Sequence, residues 1–193
     1  MIRRLSAIMA GWLEKEGAVS EENQSLYGYA VYSLLFGLLP IFLAAGLGML
    51  FGMLREALLM ILPFMLIRKF SGGYHIRSSG RCVLFSTALI ALSLSAVKAV
   101  LHWGNTTALT ILVLASLVSL WLFSPVDNEA RRLSQKERLV FRRVTRVMAV
   151  GFVAIYLSLS SLPYLAVPIG VGIVIPALLQ LPALFFAAKP ENS

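Results

Sequence analysis

The sequence contains one cysteine, Cys82, and His75 lies seven residues before it. A thiol attacks a carbonyl carbon as its thiolate, and a neighbouring imidazole can take the thiol proton and later give it to a leaving amine. His75 and Cys82 could therefore form the catalytic pair of a cysteine peptidase. The spacing alone leaves other interpretations open, because a single cysteine at a membrane interface can also be a small buried side chain or carry a lipid.

The residues around this pair include the types that such chemistry needs. Gly72 and Gly73 would let backbone N–H groups approach a substrate carbonyl as oxyanion donors. Arg77 adds positive charge, and Cys82 begins an apolar segment, so a helix N-terminus would also favour the thiolate. The second histidine, His102, is expected on the opposite side of the membrane, so that these residues cannot form a zinc site. The sequence predicts no metal and no cofactor.

The elements that must position these residues are expected to be membrane helices. Of the 193 residues, 59% are hydrophobic and 13% are charged, compared with about 45–50% and 25% in a soluble domain. The stretches 23–54 and 147–188 contain no Asp, Glu, Lys or Arg, and each exceeds the roughly 20 residues that cross a bilayer. The sequence therefore predicts an all-α integral membrane protein that forms a single domain over residues 1–193.

Six apolar segments are expected after an amphipathic helix over residues 1–17, which lies on the membrane surface or packs against the bundle. The second segment is short for a full span, and an alternative turn at 46–48 would lengthen it but place Arg55 and Glu56 in the membrane. Four to six full spans are therefore predicted. The expected segments are 26–54, 57–67, 83–101, 108–123 and two that divide the run from 147 near residues 160–163.

The basic residues predict the orientation. All Lys and Arg except Arg55 and Lys98 lie within 1–20, 68–81, 124–146 and 189–193, and the positive-inside rule makes these stretches and both termini cytoplasmic. Residues 68–82 are then a cytoplasmic loop that carries the catalytic pair, and 124–146 form a basic cytoplasmic loop. The net charge of +8 is a signal of topology, since no nucleic-acid-binding motif accompanies it.

The string Arg68-Lys69-Phe70-Ser71-Gly72-Gly73-Tyr74-His75, with Cys82 seven residues later, resembles the signature of the accessory gene regulator protein B (AgrB) family. These are bacterial membrane peptidases that process the precursor of a cyclic autoinducing peptide. The resemblance extends over essentially the whole chain, and the string Ser124-Pro125-Val126-Asp127-Asn128 is similar to a Pro-Val-Asp element of the family.

The resemblance implies that Cys82 is the nucleophile and His75 its general base and acid, at the cytoplasmic face of the bacterial cell membrane. It implies that Arg68 holds the substrate or supports the loop, and that Gly73 supplies backbone freedom. In the family, an acyl-enzyme thioester is attacked by a thiol or hydroxyl of the peptide core, which closes the ring of a quorum-sensing peptide. A homodimer is also implied.

Several features bear on substrate recognition. The stretch after Asn128 is rich in arginine where relatives are expected to have more lysine, which leaves substrate recognition open. Arg138, Arg142 and Arg143 could bind an acidic tail of a precursor whose N-terminal segment is amphipathic; membrane topology and attraction to anionic lipid explain these residues equally well. Asp127 is a candidate for orienting His75 on its polarity and its side of the membrane alone.

Two other classes of protein remain open from the residues. Pro40 and Pro63 interrupt apolar segments, and discontinuous helices are typical of transporters and channels. A non-enzymatic membrane module, in which Cys82 is structural or lipidated, is the other alternative. Replacement of Cys82 discriminates between the classes, because a transporter or scaffold should tolerate it.

Overall fold

The computed structural model describes residues 24–72, 79–126 and 134–187, and the predicted helix over 1–17 lies outside these ranges. The described residues contain six helices and no strand apart from one isolated bridge between Gly72 and Val126. The prediction of an all-α fold is thereby confirmed for them. The helices are α1 (Gln24–Leu50), α2 (Leu54–Ser71), α3 (Ser79–Trp103), α4 (Thr107–Phe123), α5 (Gln135–Ser158) and α6 (Pro163–Ala187).

The described residues divide into two compact units between Leu43 and Ala44, within α1. The first unit contains the apolar N-terminal part of α1, and the second contains the end of α1 and helices α2 to α6. An uninterrupted apolar run crosses this boundary, and the single domain over residues 1–193 stays a prediction. The candidate site lies within the second unit.

The connection between α1 and α2 consists of residues 51–53. Gly52 has a φ of 67°, in the left-handed region that favours glycine, and the Met53 N–H donates to the carbonyl of Gly48 at 2.7 Å. The turn thus comes just before the boundary expected near residue 54, and the alternative turn at 46–48 is not formed. Gly48 lies inside α1, where a Cβ would be 2.7 Å from the Cβ of Ala57 on α2.

Helix α6 is the central helix of the second unit. Most of its residues between 163 and 181 are buried, and it packs against α2, α3, α4 and α5. A Cβ at Gly172 would overlap the carbonyl oxygen of Met60 and lie 2.7 Å from Cγ of Pro63 on α2. Glycine at this position therefore lets the two helices approach closely, as small residues do between membrane helices.

Among the described residues, two helical stretches are long and apolar enough to cross a membrane, residues 80–103 in α3 and 163–181 in α6. Residues 37–50 and 107–123 form shorter apolar helices. Many large apolar side chains are exposed, which marks contact with lipid or with another protein. The most exposed include Phe42, Leu50, Leu84, Leu92, Ile111 and Val147. These features point to a membrane protein, while the number of full spans and the orientation stay predictions.

The prolines considered as signs of a transporter lie inside continuous helices. Pro40 is within α1, and Pro63 is within α2, where it is fully buried. The discontinuous helices that a transporter would use are therefore not formed at these two positions.

Helix α5 begins earlier than the sequence analysis predicted. The hydroxyl of Ser134 accepts from the Glu137 N–H, and the Glu137 carboxylate accepts from the Ser134 N–H at 3.0 Å, which forms a capping box. This cap starts the helix at Gln135, so the basic stretch 124–146 is not a loop over its full length. Four of its arginines lie within the first twelve residues of α5, namely Arg138, Arg142, Arg143 and Arg146.

Candidate functional site

Cys82 lies in the first turn of α3 as a half-buried free thiol. The helix begins at Ser79, so it includes the three residues Ser79, Gly80 and Arg81 that precede Cys82 and the apolar run. The first backbone N–H groups of a helix lack intrahelical acceptors and its dipole is positive at this end, so the position favours an anion. The expected helix N-terminus near the cysteine is therefore present.

Arg68 lies in the last turn of α2 and is half-buried. Burial lowers the pKa of Arg68, and the negative charge of Cys82 as a thiolate opposes that change. The Arg68 guanidinium also lies 5.7 Å from the centroid of the Phe64 ring. The end of α2 thus carries a half-buried cation whose charge interacts favourably with a negative charge on Cys82.

Two of the chain segments that carry predicted site residues start from a common point, which we call the loop anchor (Ser71, Gly72, Ser124, Val126 and Gln180). The Val126 N–H donates to the carbonyl of Ser71 at 3.0 Å, and Gly72 and Val126 form a parallel bridge. Nε2 of Gln180 donates to the same Ser71 carbonyl at 3.2 Å and to Oγ of Ser124 at 2.6 Å. The segment leading to His75 and the segment leading to Asp127 therefore begin side by side.

Gly72 is the tightest point of the loop anchor. Its φ of 75° and ψ of −157° fall in a region of backbone conformation that is essentially restricted to glycine. A Cβ at this position would overlap the carbonyl oxygen of Val126. Both the conformation and the close approach of the second segment therefore require a residue without a side chain.

The basic start of α5 packs against the end of α2. The rings of Phe70 and Phe141 pack edge to face, with centroids 5.6 Å apart and planes at 87°. Arg142, the next residue on α5, is half-buried, and its Nε is buried without a hydrogen-bond acceptor among the described residues. Arg138 and Arg143 are exposed. The three arginines predicted to bind the substrate tail thus lie next to the helix that carries Arg68.

Four predicted site residues lie outside the described residues: Gly73, His75, Arg77 and Asp127. The pairing of His75 with Cys82 and the orientation of His75 by Asp127 accordingly stay predictions. In the described part of the chain, no group of three or more His, Cys, Asp or Glu side chains could hold a metal ion.

Gln180 is not among the site residues predicted from the sequence, although its polar side chain in an apolar stretch is a signal for it. Gln180 is the one side-chain amide in the uncharged stretch 147–188, and a polar side chain within an apolar membrane segment often marks a functional position. Its partners Ser71 and Ser124 could not be found in this way, because they are 109 and 56 residues distant in the sequence.

These features define a helical membrane protein with a half-buried thiol at the start of one helix and a half-buried guanidinium at the end of the preceding helix. The sequence model of the family described as accessory gene regulator B (AgrB) matches residues 6–182, and the chain belongs to this family.

Two curated relatives are similar to part of the chain. They are the putative AgrB-like protein 2 of Clostridium perfringens (strain 13 / Type A) and the putative AgrB-like protein of Clostridium perfringens (strain SM101 / Type A). Each is 32% identical over 84 residues, which cover 44% of this chain and 39% of the relative. The similarity therefore spans well under half of either relative. No solved structure matches the chain.

Proposed function

We propose that this protein is a membrane cysteine endopeptidase that cleaves a precursor signalling peptide and promotes its cyclisation. The observation that best supports the proposal is the arrangement at Cys82, which combines a helix N-terminus with the nearby guanidinium of Arg68. Cysteine nucleophiles react as thiolates, and helix N-termini and neighbouring cations are features that many reactive cysteine sites share. Family membership supplies the class of substrate, and the distribution of basic residues predicts that the active site faces the cytoplasm.

In the proposed first step, the Cys82 thiolate adds to the carbonyl carbon at the end of the signalling core. The carbon–nitrogen bond of that peptide link then breaks, and the departing amine takes the proton that His75 carries as imidazolium. The products are an acyl-enzyme thioester on Cys82, the released C-terminal tail with a free amine, and neutral His75. Arg68 would hold the thiolate and the reacting segment in place by its charge.

In the second step, a thiol or hydroxyl within the core attacks the thioester carbonyl. The bond from that carbon to Sγ of Cys82 breaks, His75 moves the proton, and the thiol is regenerated as the ring closes. Water competes with the ring-closing nucleophile, so holding the core close to the thioester and limiting access of water both favour cyclisation.

The exposed arginines at the start of α5 are proposed to bind an acidic tail of the precursor. Arg138 and Arg143 are exposed, and Arg142 has a buried Nε without an acceptor among the described residues. Neutralising all three with glutamine should weaken cleavage and reduce its dependence on salt. The matched control neutralises Arg55 and Lys98, which are exposed elsewhere. Equal effects of the two sets would show a general response to net charge and would contradict binding of the tail, because Arg55 and Lys98 lie outside the stretches predicted to be cytoplasmic. A homodimer is also proposed, on the family resemblance.

The test of the chemistry is to trap the acyl-enzyme. The full chain is co-expressed with a precursor peptide from its own source, and mass spectrometry is used to find a covalent adduct on Cys82. We expect an adduct that hydroxylamine releases and that is absent from Cys82→Ala. We also expect its loss in His75→Ala and its retention in His102→Ala, because His102 lies at the far end of α3.

The opposite outcome is equally clear. Normal processing of the precursor by Cys82→Ala would remove the thiol from the mechanism and leave a transporter or a non-enzymatic module as the explanation. Loss of the adduct in both histidine variants would instead indicate that the substitutions disturb the fold.

A further inference from the structure

We propose that Gln180 is a positioning residue for this reaction, through which α6 holds the end of α2 and the segment after α4 in register. The inference rests on the proposed function. The side-chain amide of Gln180 binds the Ser71 carbonyl and the Ser124 hydroxyl, and neither contact involves a reacting atom. Its effect on catalysis would therefore pass through the groups that these two segments carry.

The end of α2 connects Gln180 to the thiol. Ser71 lies one turn after Arg68 on the same helix, and Arg68 is the cation that interacts with Cys82. Fixing the Ser71 carbonyl against α6 therefore fixes the position of the Arg68 guanidinium relative to α3. Gly72, which follows Ser71, begins the segment that leads to His75, so the same contact fixes the start of that segment.

Stability alone does not explain a glutamine at this position. Gln180 is 0% exposed in a helix that is otherwise apolar, and its Oε1 is buried without a hydrogen-bond donor among the described residues. The two hydrogen bonds from Nε2 stabilise the folded state modestly, and leaving one buried acceptor unsatisfied costs a comparable free energy. The two effects nearly cancel, and an apolar side chain of similar volume would avoid the second.

The contacts of Gln180 give it a role that an apolar side chain lacks. The Ser71 carbonyl is at the C-terminus of α2, where intrahelical donors are missing, and it accepts from both Val126 and Gln180. The bond from Val126 joins the two segments to each other, whereas the bond from Gln180 joins them to α6. Without Gln180 the paired segments could move together relative to the helix core.

The test compares full-length Gln180→Met with the wild type in lipid nanodiscs. Methionine has a similar volume and shape but forms no strong hydrogen bonds. The first readout is the rate of Cys82 alkylation at neutral pH divided by the rate at alkaline pH, where thiols are ionised. This ratio reports activation of the thiol and is independent of access to it. The second readout is formation of the acyl adduct with the co-expressed precursor.

We expect Gln180→Met to remain folded, with a lower alkylation ratio and adduct formation reduced about 10- to 100-fold, as small displacements near reacting groups produce. The matched control is Thr110→Val, which removes the 2.8 Å hydrogen bond between Thr110 on α4 and Tyr156 on α5. This bond also joins two helices, but it involves no residue of the loop anchor. Its loss should lower stability and leave the alkylation ratio unchanged.

A second variant covers the case in which Gln180→Met does not fold. Ser124→Ala removes one of the two hydrogen bonds from Nε2 and leaves the bond to Ser71, so it should lower the ratio in the same direction by a smaller factor. The proposal is overturned if a folded Gln180 variant, or Ser124→Ala, keeps the wild-type ratio and adduct yield. It is also overturned if Thr110→Val lowers both readouts equally, since the role of Gln180 is then only structural.

The outcomes also separate this proposal from the proposed function. If Cys82→Ala processes the precursor normally, the cysteine mechanism fails whatever Gln180 does. If processing requires Cys82 but does not respond to Gln180→Met, only the positioning role fails.

Discussion

Replacing Gly72 with alanine tests how tightly the loop anchor is closed. The native backbone conformation at this position, with φ 75° and ψ −157°, costs a residue with a side chain about 1–3 kcal/mol. The new Cβ would also overlap the carbonyl oxygen of Val126, so the two segments must separate. Separation breaks the 3.0 Å bond from Val126 to Ser71, which contributes about 1 kcal/mol. Gly72→Ala should therefore lower the free energy of unfolding by about 2–4 kcal/mol.

Gly52→Ala is the matched control for this substitution. Gly52 also has a positive φ, 67°, but no atom lies within 4 Å of the position that its Cβ would occupy. Its replacement should therefore cost only the conformational strain, about 1–2 kcal/mol. Gly72→Ala meets both the contact with Val126 and a more restricted backbone conformation, whereas Gly52→Ala meets only strain, so Gly72→Ala should show the larger loss.

The assay is equilibrium unfolding in detergent micelles, followed by the loss of helical circular dichroism. Formation of the acyl adduct on Cys82 is measured on the same samples under folding conditions. Gly72→Ala should also reduce the adduct, because Gly72 begins the segment that carries His75, whereas Gly52→Ala should not. Equal losses of stability and activity in the two variants would refute the reasoning, since the loop anchor would then tolerate a side chain.

Two further predictions concern the packing of the helices. Gly172→Ala should destabilise the protein by about 1–3 kcal/mol, because the backbone of Met60 blocks the new Cβ. Gly151 is exposed in α5 and has no atom near the position of a Cβ, so Gly151→Ala should stabilise the protein by up to about 1 kcal/mol. Thermal unfolding of both variants tests these two expectations. A double-mutant cycle with Thr110→Val and Tyr156→Phe should give a coupling of about 1 kcal/mol for their 2.8 Å hydrogen bond, and additive losses of unfolding free energy would contradict that bond.

The helices could be predicted where an uncharged run is bounded by polar residues or proline. The division of the last run near residues 160–163 is confirmed, since α5 ends at Ser158 and α6 begins at Pro163. The turn at Gly52 was less visible because apolar residues surround it on both sides. The start of α5 lies earlier than predicted, because the capping box of Ser134 and Glu137 begins the helix within a stretch that its arginines predict to be a loop.

The site could be predicted only in its local part. The sequence shows that His75 and Cys82 are close along the chain and that a helix starts near the cysteine, since both are matters of spacing. The loop anchor is not visible in this way, because its hydrogen bonds join residues up to 109 positions apart. Such contacts depend on how α2, α4 and α6 pack together, and no periodicity within one helix encodes that packing.

The central position of α6 has a consequence for biosynthesis. Helices α2 to α5 all pack against α6, yet the ribosome makes α6 after every one of them. The earlier helices can enter the bilayer in order, but their shared partner is absent until its own translation, and domains generally complete their packing as units. The bonds of Gln180 to Ser71 and Ser124 also form only then. A nascent chain that lacks α6 would thus have Arg68 and Cys82 but not the contacts through which Gln180 is proposed to hold the two segments in register.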